Sequence, residues 1–150
     1  MKILIREATR ADAESIILFQ QLMAKETEDM DLRSEVITPG VAAVFEDRSK
    51  GTYYVAAEDT KVVGSFLITP EWSDWRNSYV WWFQSVYVLP EFRRLGIFRM
   101  MYDYTRESAL AHGIAGLRLY VEINNTRAQK TYEAMGMNGD HYRLFEWLKD

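Results

Sequence analysis

The chain has 150 residues, 48% of them hydrophobic and 27% charged. That is enough for one domain with one apolar core, and it excludes a disordered chain. Eighteen basic against 22 acidic residues give a net charge of −4, which argues against a nucleic-acid groove, and the absence of cysteine excludes disulfides, thiolate catalysis and cysteine metal sites. With two histidines, His112 and His141, there is no histidine-rich metal site either. The start, MKILIREATR, is charged within a few residues, so neither a signal peptide nor a membrane span is expected, and a cytoplasmic location follows by default.

In chain order, Lys2 to Arg6 alternates as a first strand. Thr9 and Asp12 then form a capping-box pattern ahead of a helix reaching about Glu26, with Ala13, Ile16, Phe19 and Met23 on its apolar stripe. Thr38-Pro39 reads as the start of a second helix ending near Asp47. Three strand-like runs follow: Thr52 to Ala57, Val62 to Thr69, and Tyr79 to Val88. Glu58-Asp59-Thr60 makes a hairpin turn between the first two, and Pro70 to Asn77 is a tryptophan-rich loop before the third. The third run is apolar on both faces and so should be covered on both sides. A turn at residues 93–96 leads into a helix to about Ala111, ended by Gly113. Leu117 to Glu122 is a strand, Asn125 or Thr126 opens a helix closed by Gly136, and Tyr142 to Trp147 is a last strand. The order βααβββαβαβ combines an antiparallel hairpin with a strand–helix–strand crossover. It predicts a mixed α/β sheet forming a single domain over residues 1–150.

The segment Val86-Tyr87-Val88-Leu89-Pro90-Glu91-Phe92-Arg93-Arg94-Leu95-Gly96-Ile97-Phe98-Arg99 runs from a strand through a tight turn into a helix start. Amides there lack partners inside the helix, and the helix dipole adds positive potential, so a pyrophosphate fits. Gly96 removes a Cβ from the approach, and Arg93, Arg94 and Arg99 offer guanidinium groups. The same segment alone is equally compatible with an ordinary strand-to-helix turn. It matches neither the dinucleotide fingerprint nor the Walker loop.

Another run, Asn125-Thr126-Arg127-Ala128-Gln129-Lys130-Thr131-Tyr132-Glu133-Ala134-Met135-Gly136, follows the next strand. Together the two segments resemble the GNAT superfamily of acyl-CoA-dependent N-acetyltransferases. The turn segment is similar to that family's (Q/R)-x-x-G-x-(G/A), supplied by Arg93, Gly96 and position 98. The later run is similar to its N-x-x-A-x-x-x-Y-E-x-x-G, matched at Asn125, Ala128, Tyr132, Glu133 and Gly136. Phe98 departs from the pattern, which has Gly or Ala there. For the turn to hold a diphosphate, its ring must point away, into the sheet or over the rim.

The resemblance implies a mostly antiparallel sheet of six to seven strands flanked by about four helices, with a splayed parallel pair. It implies acetyl-CoA as donor, a small-molecule or peptide amine as acceptor, and direct attack in a ternary complex. Backbone groups of Val86 and Val88 would hold the pantetheine arm, and the N–H at or next to Tyr87 would polarise the thioester carbonyl. The amides of Arg94, Leu95, Gly96 and Ile97, with the last one at Phe98 and the guanidinium groups of Arg93, Arg94 and Arg99 near by, would hold the pyrophosphate. Asn125 and Ala128 would assist with the arm, and Tyr132 would protonate the departing thiolate. Gln84 and Ser85 stand where a base is wanted and could hold a relay water. Glu71, Asp74, Glu28 and Glu122 are the carboxylates near by in element order, each also readable as a solvated surface group. Glu26 and Glu28 lie in a charge run that is either an exposed face or an acceptor wall. Trp72, Trp75 and Trp82 border the acceptor side, with core or dimer packing as the alternative for Trp81 and Trp82. Exposed aromatic strands and family habit imply a homodimer. A domain that binds acyl-CoA as a sensor without turnover is the competing reading.

Overall fold

The computed structural model describes residues 2–149. The chain forms two compact units, one up to Leu119 and one from Tyr120 onward.

The first unit is built on a five-stranded sheet in the order β1 (Ile3–Glu7), β2 (Thr52–Glu58), β3 (Lys61–Ser73), β4 (Ser78–Val88), β5 (Gly116–Leu119). The first three pairings are antiparallel; β4 and β5 are parallel, joined by the crossover helix α3 (Ile97–Ala111). Helices α1 (Ala13–Glu28) and α2 (Ser34–Glu46) pack on one face over Ala8, Ile16, Val41, Tyr53 and Val55. Helix α3 covers the other face through Ile97 and Met101, against Ile5, Ala56, Val63, Phe66, Ile68 and Phe83. The sheet is therefore apolar on both sides, as the long third run implies.

Local signals place α1 and α3 closely. The Thr9 amide donates to Asp12 Oδ2 at 2.7 Å, the reciprocal half of the capping box, and a single 3-10 turn leads into α1. In three places neighbouring elements override the local pattern. Helix α2 begins at Ser34, not Thr38, and carries Pro39 inside it. Ile37, one residue before Thr38, already packs on the core, so burial extends the helix N-terminally past the proline. Strand β3 continues through the expected loop as far as Ser73, with Pro70 opposite Trp81 and Trp72 opposite Tyr79. Strand β2 ends its pairing at Ile68, so beyond that point one side of β3 is an edge, where a proline is tolerated. Strand β5 stops at Leu119, short of Glu122.

Among the described residues the sheet has five strands, not the six to seven that the resemblance implies. The segment Tyr142 to Trp147, expected as a last strand, joins no ladder among the described residues. An aromatic and apolar composition marks a segment as able to pair, whereas a strand exists only where an edge accepts its hydrogen bonds. The second unit contains α4 (Thr126–Ala134), followed by a left-handed Gly136 at φ 91°.

Candidate active site

Strand β4 carries an irregularity at its centre. Ser65 of β3 pairs with Tyr87 and Leu67 with Gln84, so Ser85 and Val86 together oppose Phe66. This is a β-bulge, and Ser85 adopts a left-handed φ of 52°. The bulge resets which residues face which side. Before it, Phe83 points into the α3-side core and Gln84 donates to Thr69 Oγ1 at 2.7 Å. After it, Tyr87 turns to the α1 side against Phe19, while Val86 and Val88 lean on the α3-side core. Gly64 opposes Val88, and a Cβ there would sit 2.8 Å from the Tyr87 carbonyl oxygen, so only glycine permits this approach of β3 to β4.

The pairing of β4 with β5 covers only Val80–Phe83. Past Phe83, no strand among the described residues pairs with β4 on the side away from β3. The backbone edge from Gln84 to Tyr87 thus has no strand partner on that side, while the Val88 carbonyl accepts from Arg93 Nε.

That edge runs directly into the turn. A 3-10 turn over Pro90–Phe92 is followed by Arg94 at φ 65° and Gly96 at φ 81°, the residue before α3. The first intrahelical bond is from Met100 N–H to Gly96 O at 3.1 Å, so the amides of Ile97, Phe98 and Arg99 precede the helix's own ladder. Arg94 and Leu95 are exposed, Ile97 is buried, and Arg99 lies 3.9 Å from Asp103 along the helix. The Phe98 ring packs toward the core, 6.0 Å from Phe83. A cup of main-chain amides next to a positive helix end suits an anion.

Arg93 does not stand free beside this cup. Its Nε donates to the Val88 carbonyl at 2.8 Å, and its Nη2 donates to Glu26 Oε1 at 3.0 Å. Tyr87 donates its phenol hydrogen to Glu26 Oε2 at 2.5 Å, with the Arg93 guanidinium 5.2 Å from its ring centre. Burial first, then the Glu26 carboxylate, pushes the Tyr87 phenol up to about 12, while the Tyr87 hydrogen bond and Arg93 hold Glu26 below the usual carboxylate range. Local pattern offers Glu26 only as part of a charged wall and Tyr87 only for its backbone. Their partnership spans 61 positions, and nothing in the neighbouring residues announces it.

Around the same sheet face, Glu71 Oε1 accepts from Arg118 at 2.7 Å and from Trp82 Nε1 at 3.2 Å. Trp82 and Trp81 do lie on opposite faces, since Trp81 packs on the α3-side core. Trp72 stacks edge-on against Tyr79, and Trp75 is 92% exposed at the tip of the β3–β4 hairpin beside Asp74. Glu28 is exposed in the last turn of α1.

In the second unit, Asn125 Oδ1 accepts the Ala128 amide at 3.1 Å, the N-cap expected of it. Glu122 accepts from the Asn124 amide at 2.8 Å. Tyr132 is half-buried within α4, and burial raises its phenol above the ordinary value. Its phenol is therefore protonated at neutral pH.

An antiparallel sheet that ends in one parallel pair, β4 and β5, joined by a crossover helix defines a mixed α/β fold. The sequence matches the Acetyltransferase (GNAT) family over residues 16–137, and the chain belongs to that family. No curated protein matches its sequence. Among solved structures, a possible acetyltransferase from Clostridium difficile 630 is 42% identical, with a TM-score of 0.90 over 100% of this chain and 99% of that one. AAC(6')-Iy in complex with the bisubstrate analogue CoA-S-monomethyl-acetylneamine shares the fold at 15% identity, with a TM-score of 0.81 over 100% of both chains. So does a predicted acetyltransferase with acetyl-CoA from Clostridium acetobutylicum, at 14% identity and a TM-score of 0.76 over 97% of this chain and 96% of that one. No helix among the described residues is long and apolar enough to cross a membrane.

Proposed function

We propose that the whole chain acts as one N-acetyltransferase domain. It takes the acetyl group of acetyl-CoA and transfers it to a primary amine of a small molecule or peptide. The observation that carries this reading is the strand edge of β4 from Gln84 to Tyr87, unpaired on the side away from β3, followed after one 3-10 turn by the first amides of α3. The pantetheine arm adds to that edge as an extra strand, and the diphosphate meets the amides of Arg94, Leu95, Gly96 and Ile97. Family membership and the fold shared with the AAC(6')-Iy complex and the acetyl-CoA-bound Clostridium acetobutylicum protein support the choice of donor.

The neutral amine attacks the thioester carbonyl carbon. A strand amide at or next to Tyr87 polarises the carbonyl oxygen, and the carbon–sulfur bond then breaks. Tyr132 gives its phenol proton to the leaving thiolate, and the proton shed by the amine leaves through a water held by Gln84 or Ser85. Glu26 is held below the usual carboxylate range by Tyr87 and Arg93, and Glu71 is occupied by Arg118 and Trp82, which favours a water relay over either carboxylate. Asn125 and Ala128 fix the start of the helix that carries Tyr132. The acceptor side is read at Trp72, Trp75, Trp82 and Glu28. The exposed Tyr142, Phe145 and Trp147 support a homodimer, and the cytoplasm is the assigned compartment.

The test is thiol release from acetyl-CoA across a panel of polyamines, aminoglycosides, amino acids and peptides. Turnover with at least one acceptor is expected. The Tyr132→Phe variant should lower kcat by about ten- to a hundredfold while changing acetyl-CoA affinity less than about threefold. Tight acetyl-CoA binding with no thiol release on any acceptor would replace this reading with a sensor domain.

A further inference from the structure

The contacts around Glu26 join three parts of the first unit. Glu26 lies in the last turn of α1, Tyr87 on β4 just past the bulge, and Arg93 immediately after the 3-10 turn. One carboxylate oxygen accepts the Tyr87 phenol at 2.5 Å, and Arg93 Nη2 reaches both oxygens, at 3.0 and 3.3 Å. Arg93 then ties back to the Val88 carbonyl through Nε, and its guanidinium faces the Tyr87 ring. Tyr87 itself is 5% exposed and wedged against Phe19 of α1. The strand end and the turn that follows it are thereby fixed at both sides by one charged group from another element.

The electrostatic consequence runs against a direct phosphate role for Arg93. Its charge is met by Glu26, and its fork of donors is already aimed at a carboxylate and a main-chain carbonyl. Releasing Arg93 toward a diphosphate would strand the Glu26 charge beside a phenol and would unfasten Val88. We propose that Glu26 is a positioning residue for the acyl donor: through Tyr87 and Arg93 it holds the open edge of β4 and the first turn of α3 in register. Arg93 serves as its structural partner and does not bind a phosphate. The proposal rests on the donor-site reading above.

Two roles for Arg93 give opposite signs for one substitution. If Glu26 positions the turn, Glu26→Gln weakens acetyl-CoA binding. If Arg93 is a phosphate ligand restrained by Glu26, the same change frees a cation and tightens binding. The experiment measures acetyl-CoA affinity by calorimetry and steady-state kinetics for Glu26→Gln, Arg93→Met and the double variant, each with a thermal melt. The expected result is about a tenfold loss of acetyl-CoA affinity in each single variant, the loss of one charge-assisted contact. The double variant should lose no more than either single one, because both break one link. The loss should raise the acetyl-CoA KM much more than the acceptor KM, a split that general loss of structure would not produce. Tyr87→Phe removes only the phenol hydroxyl and serves as the milder probe if Glu26→Gln fails to fold; it should show the same loss in weaker form.

Unchanged or tighter binding in Glu26→Gln, or additive losses in the double variant, overturns the proposal and leaves the donor site standing. No acetyl-CoA binding by the unaltered protein overturns both.

Discussion

The ring of Phe98 lies 6.0 Å from that of Phe83, on the α3 side of the sheet. Its backbone amide belongs to the helix start, while its side chain belongs to the core. These are separable in a helix, where the amides of the first turn point along the axis and side chains project from it. A large residue therefore stands where the family pattern has Gly or Ala without filling the amide cup. Phe98→Ala should cost about 1–3 kcal/mol of stability, less than a fully buried phenylalanine because the ring is only partly enclosed. Acetyl-CoA affinity should remain within about threefold by calorimetry. A large affinity loss in a variant of unaltered denaturation midpoint would place the ring against the donor.

Ser85 occupies the left-handed region, where a side chain with a Cβ is disfavoured by about 1–2 kcal/mol. Its position in the bulge demands that conformation, since two residues must fit opposite Phe66. Ser85→Gly should leave stability within about 1 kcal/mol, the relief of strain offsetting the freedom glycine gains in the unfolded chain. Ser85→Val should destabilise by about 1–2 kcal/mol and weaken acetyl-CoA binding, because a β-branched residue drives the strand back to regular pairing and turns Tyr87 off Glu26. Urea denaturation and calorimetry on both variants check the pair. Equal behaviour of the glycine and valine variants would remove the bulge from the donor site.

Asp12 links β1 to α1. It accepts two bonds from the Arg6 guanidinium, at 2.8 and 3.0 Å, and one from the Thr9 amide. These contacts, the Arg6 hydrogen bond foremost, hold its carboxyl below the ordinary value despite burial. A carboxyl lowered in the folded state binds its proton more readily in the unfolded chain. Its stabilisation is present above the unfolded value of about 3.9 and is lost as pH falls through the folded one. Asp12→Asn should therefore be less stable by about 1–3 kcal/mol at pH 7, and the gap should narrow below about pH 4. Urea titrations of both proteins at pH 7, 5 and 3 would show it. A gap that stays constant down to pH 3 would mean the carboxylate charge contributes nothing.

Local pattern along the chain is sufficient for the class of fold, the capped starts of the 3-10 turn leading into α1 and of α4, the turn after β4 and the family. Each of those rests on neighbours within a few positions: Thr9 with Asp12, Asn125 with Ala128, Arg93 with Gly96. Long-range packing, in contrast, carries β3 on through Pro70, stops the sheet at five strands, bulges β4 at Ser85, and gives Glu26 to Arg93 and Tyr87. A proline is admissible in a strand only if the adjoining edge is vacant, and an arginine binds whichever anion the fold brings nearest. Both depend on residues far away in the chain, whose arrival local periodicity does not encode.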